Sequence, residues 1–114
     1  MGKRMAVIVR PDERVLEPYP GSNDGLKLSR LRPDDPYVHM TEVPPGYEIG
    51  LHSHSETEVT VILSGSAQVG DSECGPGTVL MIEANEEYAL RAGDDEPLTF
   101  VVIRPRKASY KMSP

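Results

Sequence analysis

An all-β fold, a sandwich or barrel of many short antiparallel strands, is predicted by three features of this 114-residue chain. Eleven prolines and ten glycines interrupt it so often that no window holds a long helix, and apolar residues never sustain a 3.6-residue spacing. The segments between these breaks are short and rich in β-branched residues. Strands in such number and at such close spacing need their edges closed or covered.

The first expected strand is the apolar run Met5–Val9. PGSNDG at 20–25 is a turn leading into Leu26–Leu31, and RPDDP at 32–36 separates that strand from Tyr37–Val43. VPPG at 43–46 introduces Glu48–His52, and a polar turn leads to Glu58–Leu63. SGS at 64–66, CGPG at 74–77 and AGDDEP at 92–97 then divide Ala67–Gly70, Thr78–Ile82, Glu87–Arg91 and Leu98–Arg104. Residues 105–114 lack such a pattern and read as a loose tail or an arm that docks on something else.

Length and composition bound the function. With 38% hydrophobic residues the chain forms one domain with a real core. A net charge of −6 with scattered Lys and Arg argues against nucleic-acid or anionic-membrane partners, which require clustered positive charge. No apolar run is long enough for a membrane span, and MGKRMAVIVRPDE turns polar too soon for a secretory signal, so the expected compartment is the cytoplasm. The single cysteine, Cys74, is a small packed or loop residue.

Side-chain alternation on Glu58–Leu63 sets Glu58, Thr60 and Ile62 on one face and Val59, Val61 and Leu63 on the other. The second face is wholly apolar and needs a cover: a second sheet, the N-terminal segment or another subunit. The first carries an acid followed by small or apolar groups, which suits a cavity with a polar focus. His52 and His54 share a face across Ser53. Two imidazoles one residue apart project in parallel, and a carboxylate from the next strand completes a ligand set for Fe2+, Mn2+, Ni2+, Cu2+ or Zn2+ with positions left open. Two surface histidines in a turn is the plainer alternative for an isolated HxH.

The spacing Gly46, five residues, His52, one residue, His54, three residues, Glu58, six residues, Gly65 resembles the first motif of the cupin superfamily at every position, including the Pro-Pro-Gly that enters it. GPGTVLMIEANEEYAL at 75–90 is similar to the second motif in outline, with Glu83 for the usual proline, Asn85 for the usual glycine and Tyr88 for the last metal-binding histidine. The resemblance spans about residues 46–88. It implies a single-domain antiparallel β-barrel of jelly-roll type over 1–114, with a core of about 37–104, N-terminal strands within 5–32 packed on the barrel or a partner subunit, and 105–114 as tail.

It further implies a metal at His52, His54 and Glu58, iron(II) being the first choice. Tyr88 is then a ligand as phenolate, a neighbour of the metal acting as acid or base, or a plain core residue. His39, Thr60, Ile62 and Arg104 are candidates to contact substrate, Arg104 through a bidentate grip on a carboxylate. The implied function is a metal-dependent enzyme on a small organic molecule, among oxygenases, isomerases, lyases and cyclases, or a non-catalytic module that holds a metal or small ligand. The Val59, Val61, Leu63 face and the N-terminal strands are expected to help build a symmetric homodimer.

Overall fold

The computed structural model describes residues 7–22, 24–33 and 35–112. Strands form where the glycines and prolines leave room for them: β1 (Glu17–Pro18), β2 (Lys27–Arg32), β3 (Tyr37–Val43), β4 (Glu48–His54), β5 (Glu58–Ser64), β6 (Ala67–Val69), β7 (Ser72–Cys74), β8 (Val79–Ile82), β9 (Tyr88–Ala92), β10 (Leu98–Arg104) and β11 (Tyr110–Met112). The one helical element among the described residues is a single 3-10 turn at Pro11–Glu13.

The strands make two antiparallel sheets, in the orders β1-β2-β3-β10-β5-β8 and β11-β4-β9-β6-β7. They pack as a jelly roll whose sheets keep separate hydrogen-bond ladders. Both strands flanking β10 are distant in sequence: Val102 lies opposite His39 on one side and Thr60 on the other. Ile62, Leu98, Val43, Phe100, Val102, Leu90 and Ala92 fill the space between the sheets with branched and aromatic side chains, and Cys74 is buried among them. Among the described residues no helix is long and apolar enough to cross a membrane.

Two backbone positions explain residues that the motifs require. Gly65 has φ +76°, and a Cβ there would stand 2.3 Å from the Pro97 carbonyl oxygen, so the turn after β5 admits only glycine. Asn85, where the motif has glycine, also has a positive φ of 65°. Asparagine tolerates that region better than other side chains, so this departure leaves the backbone shape intact.

Several expected elements differ. Met5 and Ala6 lie outside the described residues, and Val7–Val9 form no strand; an apolar run becomes a strand only where a ladder partner is available. Ser72–Cys74 continues as the return of a hairpin with β6, Val69 opposite Ser72. β4 runs to His54 rather than stopping at His52. The segment expected to be a loose tail carries β11, which docks on this chain's own β4, Tyr110 opposite His54 and Met112 opposite His52. Residues 109 and 55 lock the approach: Ser109 N–H donates to Ser55 Oγ at 2.9 Å, and Ser55 N–H to the Ser109 carbonyl at 3.1 Å.

Candidate functional site

A bulge places the two histidines. Between Ile49, opposite Leu90, and His52, opposite Tyr88, β4 carries one residue more than β9. The Gly50 carbonyl exposed there accepts a hydrogen bond from His52 Nδ1 at 2.7 Å. A carbonyl only accepts, so His52 donates from Nδ1, and among the described residues no donor is directed at its Nε2. The His52 and His54 rings stand edge to face with centroids 5.0 Å apart, and the Tyr88 ring lies 4.3 Å from His52.

Glu58 enters from the first residue of β5 and is 1% exposed. Its carboxylate receives four donors. Arg104 Nε and Nη2 donate to Oε1 at 3.0 and 2.8 Å. Thr60 Oγ1 and the Tyr88 hydroxyl donate to Oε2 at 2.8 and 3.0 Å. Arg104 Nη2 also lies 3.4 and 3.5 Å from the two ring nitrogens of His54, and its guanidinium carbon is 5.4 Å from the centre of the Tyr37 ring. The Tyr37 hydroxyl in turn bonds His39 Nδ1 at 2.8 Å.

These groups surround a pocket of about 470 Å3, mouth included, whose walls are Leu26, Ile49, Leu90, Phe100 and Val102. His39, His52, His54, Glu58, Tyr88 and Arg104 all line it. Thr60 and Ile62, expected to contact substrate, do not: Thr60 is consumed by Glu58, and Ile62 lies deeper in the core. Side-chain parity gave them the right face but not the right depth along β5. Arg104 was expected to grip a substrate carboxylate, but its fork closes on Glu58 inside the protein. Tyr19 and Tyr110 line the pocket without having been anticipated. Tyr110 stacks 5.1 Å from His52 at 28° and is 46% exposed, forming part of the rim.

The charges follow from burial and from Arg104. Burial, then the Arg104 charge, holds His39 and His54 down to about 4, so both are neutral at neutral pH. Burial alone would raise the Glu58 carboxyl, but Arg104, the Thr60 hydrogen bond and His54 outweigh it and leave it below the usual carboxylate value. Burial and the Glu58 charge push the Tyr88 phenol well above its usual value, so it serves as a hydrogen-bond donor, not a phenolate.

Neutral imidazoles suit a divalent ion, but the carboxylate does not fit the role the motif gives it. Its acceptor sites are filled, and among the described residues no three of His, Cys, Asp and Glu gather closely enough to hold an ion. An ion entering about 4 Å from the guanidinium would meet a repulsion of roughly 8 kcal/mol at an effective dielectric near 20. As folded, the set does not offer the three-ligand centre expected from the sequence.

The pocket predicts acid sensitivity. The unfolded chain protonates His39 and His54 near the usual 6.5, whereas the folded chain does so at about 4. Their contribution to stability is present above pH 6.5 and lost as pH falls toward 4. Glu58, with its lowered value, adds a further loss below the ordinary carboxylate range. Thermal melts between pH 7.5 and 4.5 should show Tm falling by roughly 5 °C or more, with a shallower slope in His39→Gln. A flat or rising Tm would contradict this electrostatic account.

Comparison with known proteins agrees with the fold. A polyketide cyclase from Streptomyces resistomycificus superimposes with a TM-score of 0.78 at 20% identity, covering 96% of this chain and 87% of the other. A sugar phosphate isomerase from Silicibacter pomeroyi superimposes at 0.72 and 22%, covering 94% and 82%. An uncharacterized conserved protein with a double-stranded β-helix domain from Klebsiella pneumoniae superimposes at 0.74 and 24%, covering 96% and 99%. Among curated proteins no sequence matches. The cupin domain family model matches residues 39–104, from His39 on β3 to Arg104 at the end of β10, and the chain belongs to the cupin family.

Proposed function

We propose that the chain is an enzyme that moves a proton on a small organic molecule bound between the sheets, an isomerase-, lyase- or cyclase-type reaction. The observation that carries this reading is His52: its proton is held on Nδ1 by Gly50, and its Nε2 lone pair is left to accept one on the wall of an apolar pocket. Tyr88 positions Glu58, and its ring lies 4.3 Å from that of His52. The apolar walls exclude water from the polar floor, which strengthens each hydrogen bond made to a bound carbonyl. Cyclisation and isomerisation, the activities named for two fold neighbours, fall within this chemistry.

A second reading, a pocket that binds without turnover, is favoured by one feature: the floor groups already satisfy one another through Glu58. Incubation with small ketoacids, diketones, amino acids and sugars in deuterium oxide separates the two. The enzyme reading predicts catalysed exchange of an acidic C–H, reduced about 100-fold or more in folded His52→Asn. Thermal stabilisation by a compound with no exchange would favour the binder, and exchange unaffected by His52→Asn would remove histidine as base.

We also propose that the chain is a homodimer through the outer face of β5, β8 and β10. Val59 and Val61 are half-buried there, Leu63, Val79 and Ile103 are exposed, and Met81 is 77% exposed. No element of the described chain covers this apolar stripe, and such surfaces are uncommon on monomers. Light scattering should give a dimer for the native chain and a monomer for Met81→Lys combined with Leu63→Lys. A native monomer at working concentration would contradict the dimer.

A further inference from the structure

We propose that Arg104 is the resident cation of this pocket, standing where the first motif would otherwise hold a divalent ion. The inference rests on reading the pocket as the working site, and adds that the site operates on a fixed internal ion pair.

Three observations carry it. The first is the count of donors. A carboxylate has about four acceptor positions, and the four donors on Glu58 come from Arg104 Nε, Arg104 Nη2, Thr60 Oγ1 and the Tyr88 hydroxyl. The second is placement. His54 Nε2 and Glu58 Oε1 are 3.8 Å apart, and Arg104 Nη2 touches both, 3.5 Å from the first and 2.8 Å from the second. The guanidinium thus holds the position from which one cation would reach both ligands. The third is Tyr88. It occupies the fourth position of the motif and donates a hydrogen bond to Glu58, so this residue too treats the carboxylate as an acceptor. Arg104 and Tyr88 together make Glu58 the centre of a hydrogen-bond network instead of a ligand.

Arg104 is built to stay. It is 7% exposed, lies opposite Tyr37 in the β3–β10 ladder, and places its guanidinium near that ring. The planar guanidinium fork suits a carboxylate, and both of the nitrogens it offers Glu58 lie within hydrogen-bond distance.

The test uses the full chain without a histidine tag. Elemental analysis after growth with iron, manganese, nickel, copper and zinc should find under about one ion per ten chains, and cobalt(II) titration should give weak binding. Folded Arg104→Gln frees Glu58 and should bind cobalt(II) about tenfold more tightly or better. Nitrogen NMR supplies a readout that needs no variant: the Arg104 Nε–H signal should be slow to exchange and unmoved by one equivalent of cobalt(II). One ion per native chain, removed by Glu58→Gln, would overturn the proposal. So would an Arg104 signal that broadens with stoichiometric cobalt(II), or folded Arg104→Gln with unchanged metal affinity. If the native chain holds metal but still catalyses C–H exchange after chelation, this inference fails and the proton-transfer reading stands. A metal-free chain that catalyses nothing gives the reverse.

Discussion

The structure depends on an ion pair buried between two strands that are far apart in sequence. Glu58 begins β5 and Arg104 ends β10, and the antiparallel register that sets Ile103 opposite Val59 brings them side by side at one end of the sandwich. A lone ionised carboxylate or guanidinium could not be desolvated at that depth; each makes the burial of the other tolerable. The remaining polar groups of the pocket arrange themselves around this pair, Thr60 and Tyr88 on the carboxylate and Tyr37 beneath the guanidinium.

The pair also sets the protonation of its neighbours. Burial, reinforced by the fixed positive charge of Arg104, keeps His39 and His54 neutral, and burial, reinforced by the fixed negative charge of Glu58, keeps the Tyr88 phenol protonated. His52 is governed by a different device, the bulge carbonyl of Gly50, which settles its tautomer. Burial, one strand irregularity and one ion pair together bear on where protons can rest in the pocket. Leu26, Ile49, Leu90, Phe100 and Val102 add apolar walls around this small set of polar groups.

Much of this was legible in the amino-acid order. The breaks at PGSNDG, VPPG and CGPG marked the turns because glycine and proline act locally, and His52, His54 and Glu58 do meet in one pocket, as their strand parity implied. What escaped was decided at long range. The partnership of Arg104 with Glu58 spans 46 residues and exists only through the β5–β10 register. Tyr110 sits in a polar, patternless segment, and its strand is held by β4 and by stacking on His52, not by its own propensity. Val7–Val9 fail for the opposite reason: good strand composition finds no ladder among the described residues.

Central to the account is that Glu58 and Arg104 stabilise one another inside the protein, and a double-mutant cycle on folding stability measures this directly. Urea unfolding of Glu58→Leu, Arg104→Met and the double variant should show each single change costing about 3 kcal/mol or more, because it strands a buried charge. The double variant should cost clearly less than the sum, with a coupling of about 2 kcal/mol or more. Additive single effects, or a freely tolerated Arg104→Met, would mean that the two side chains do not form the buried pair on which the pocket is built.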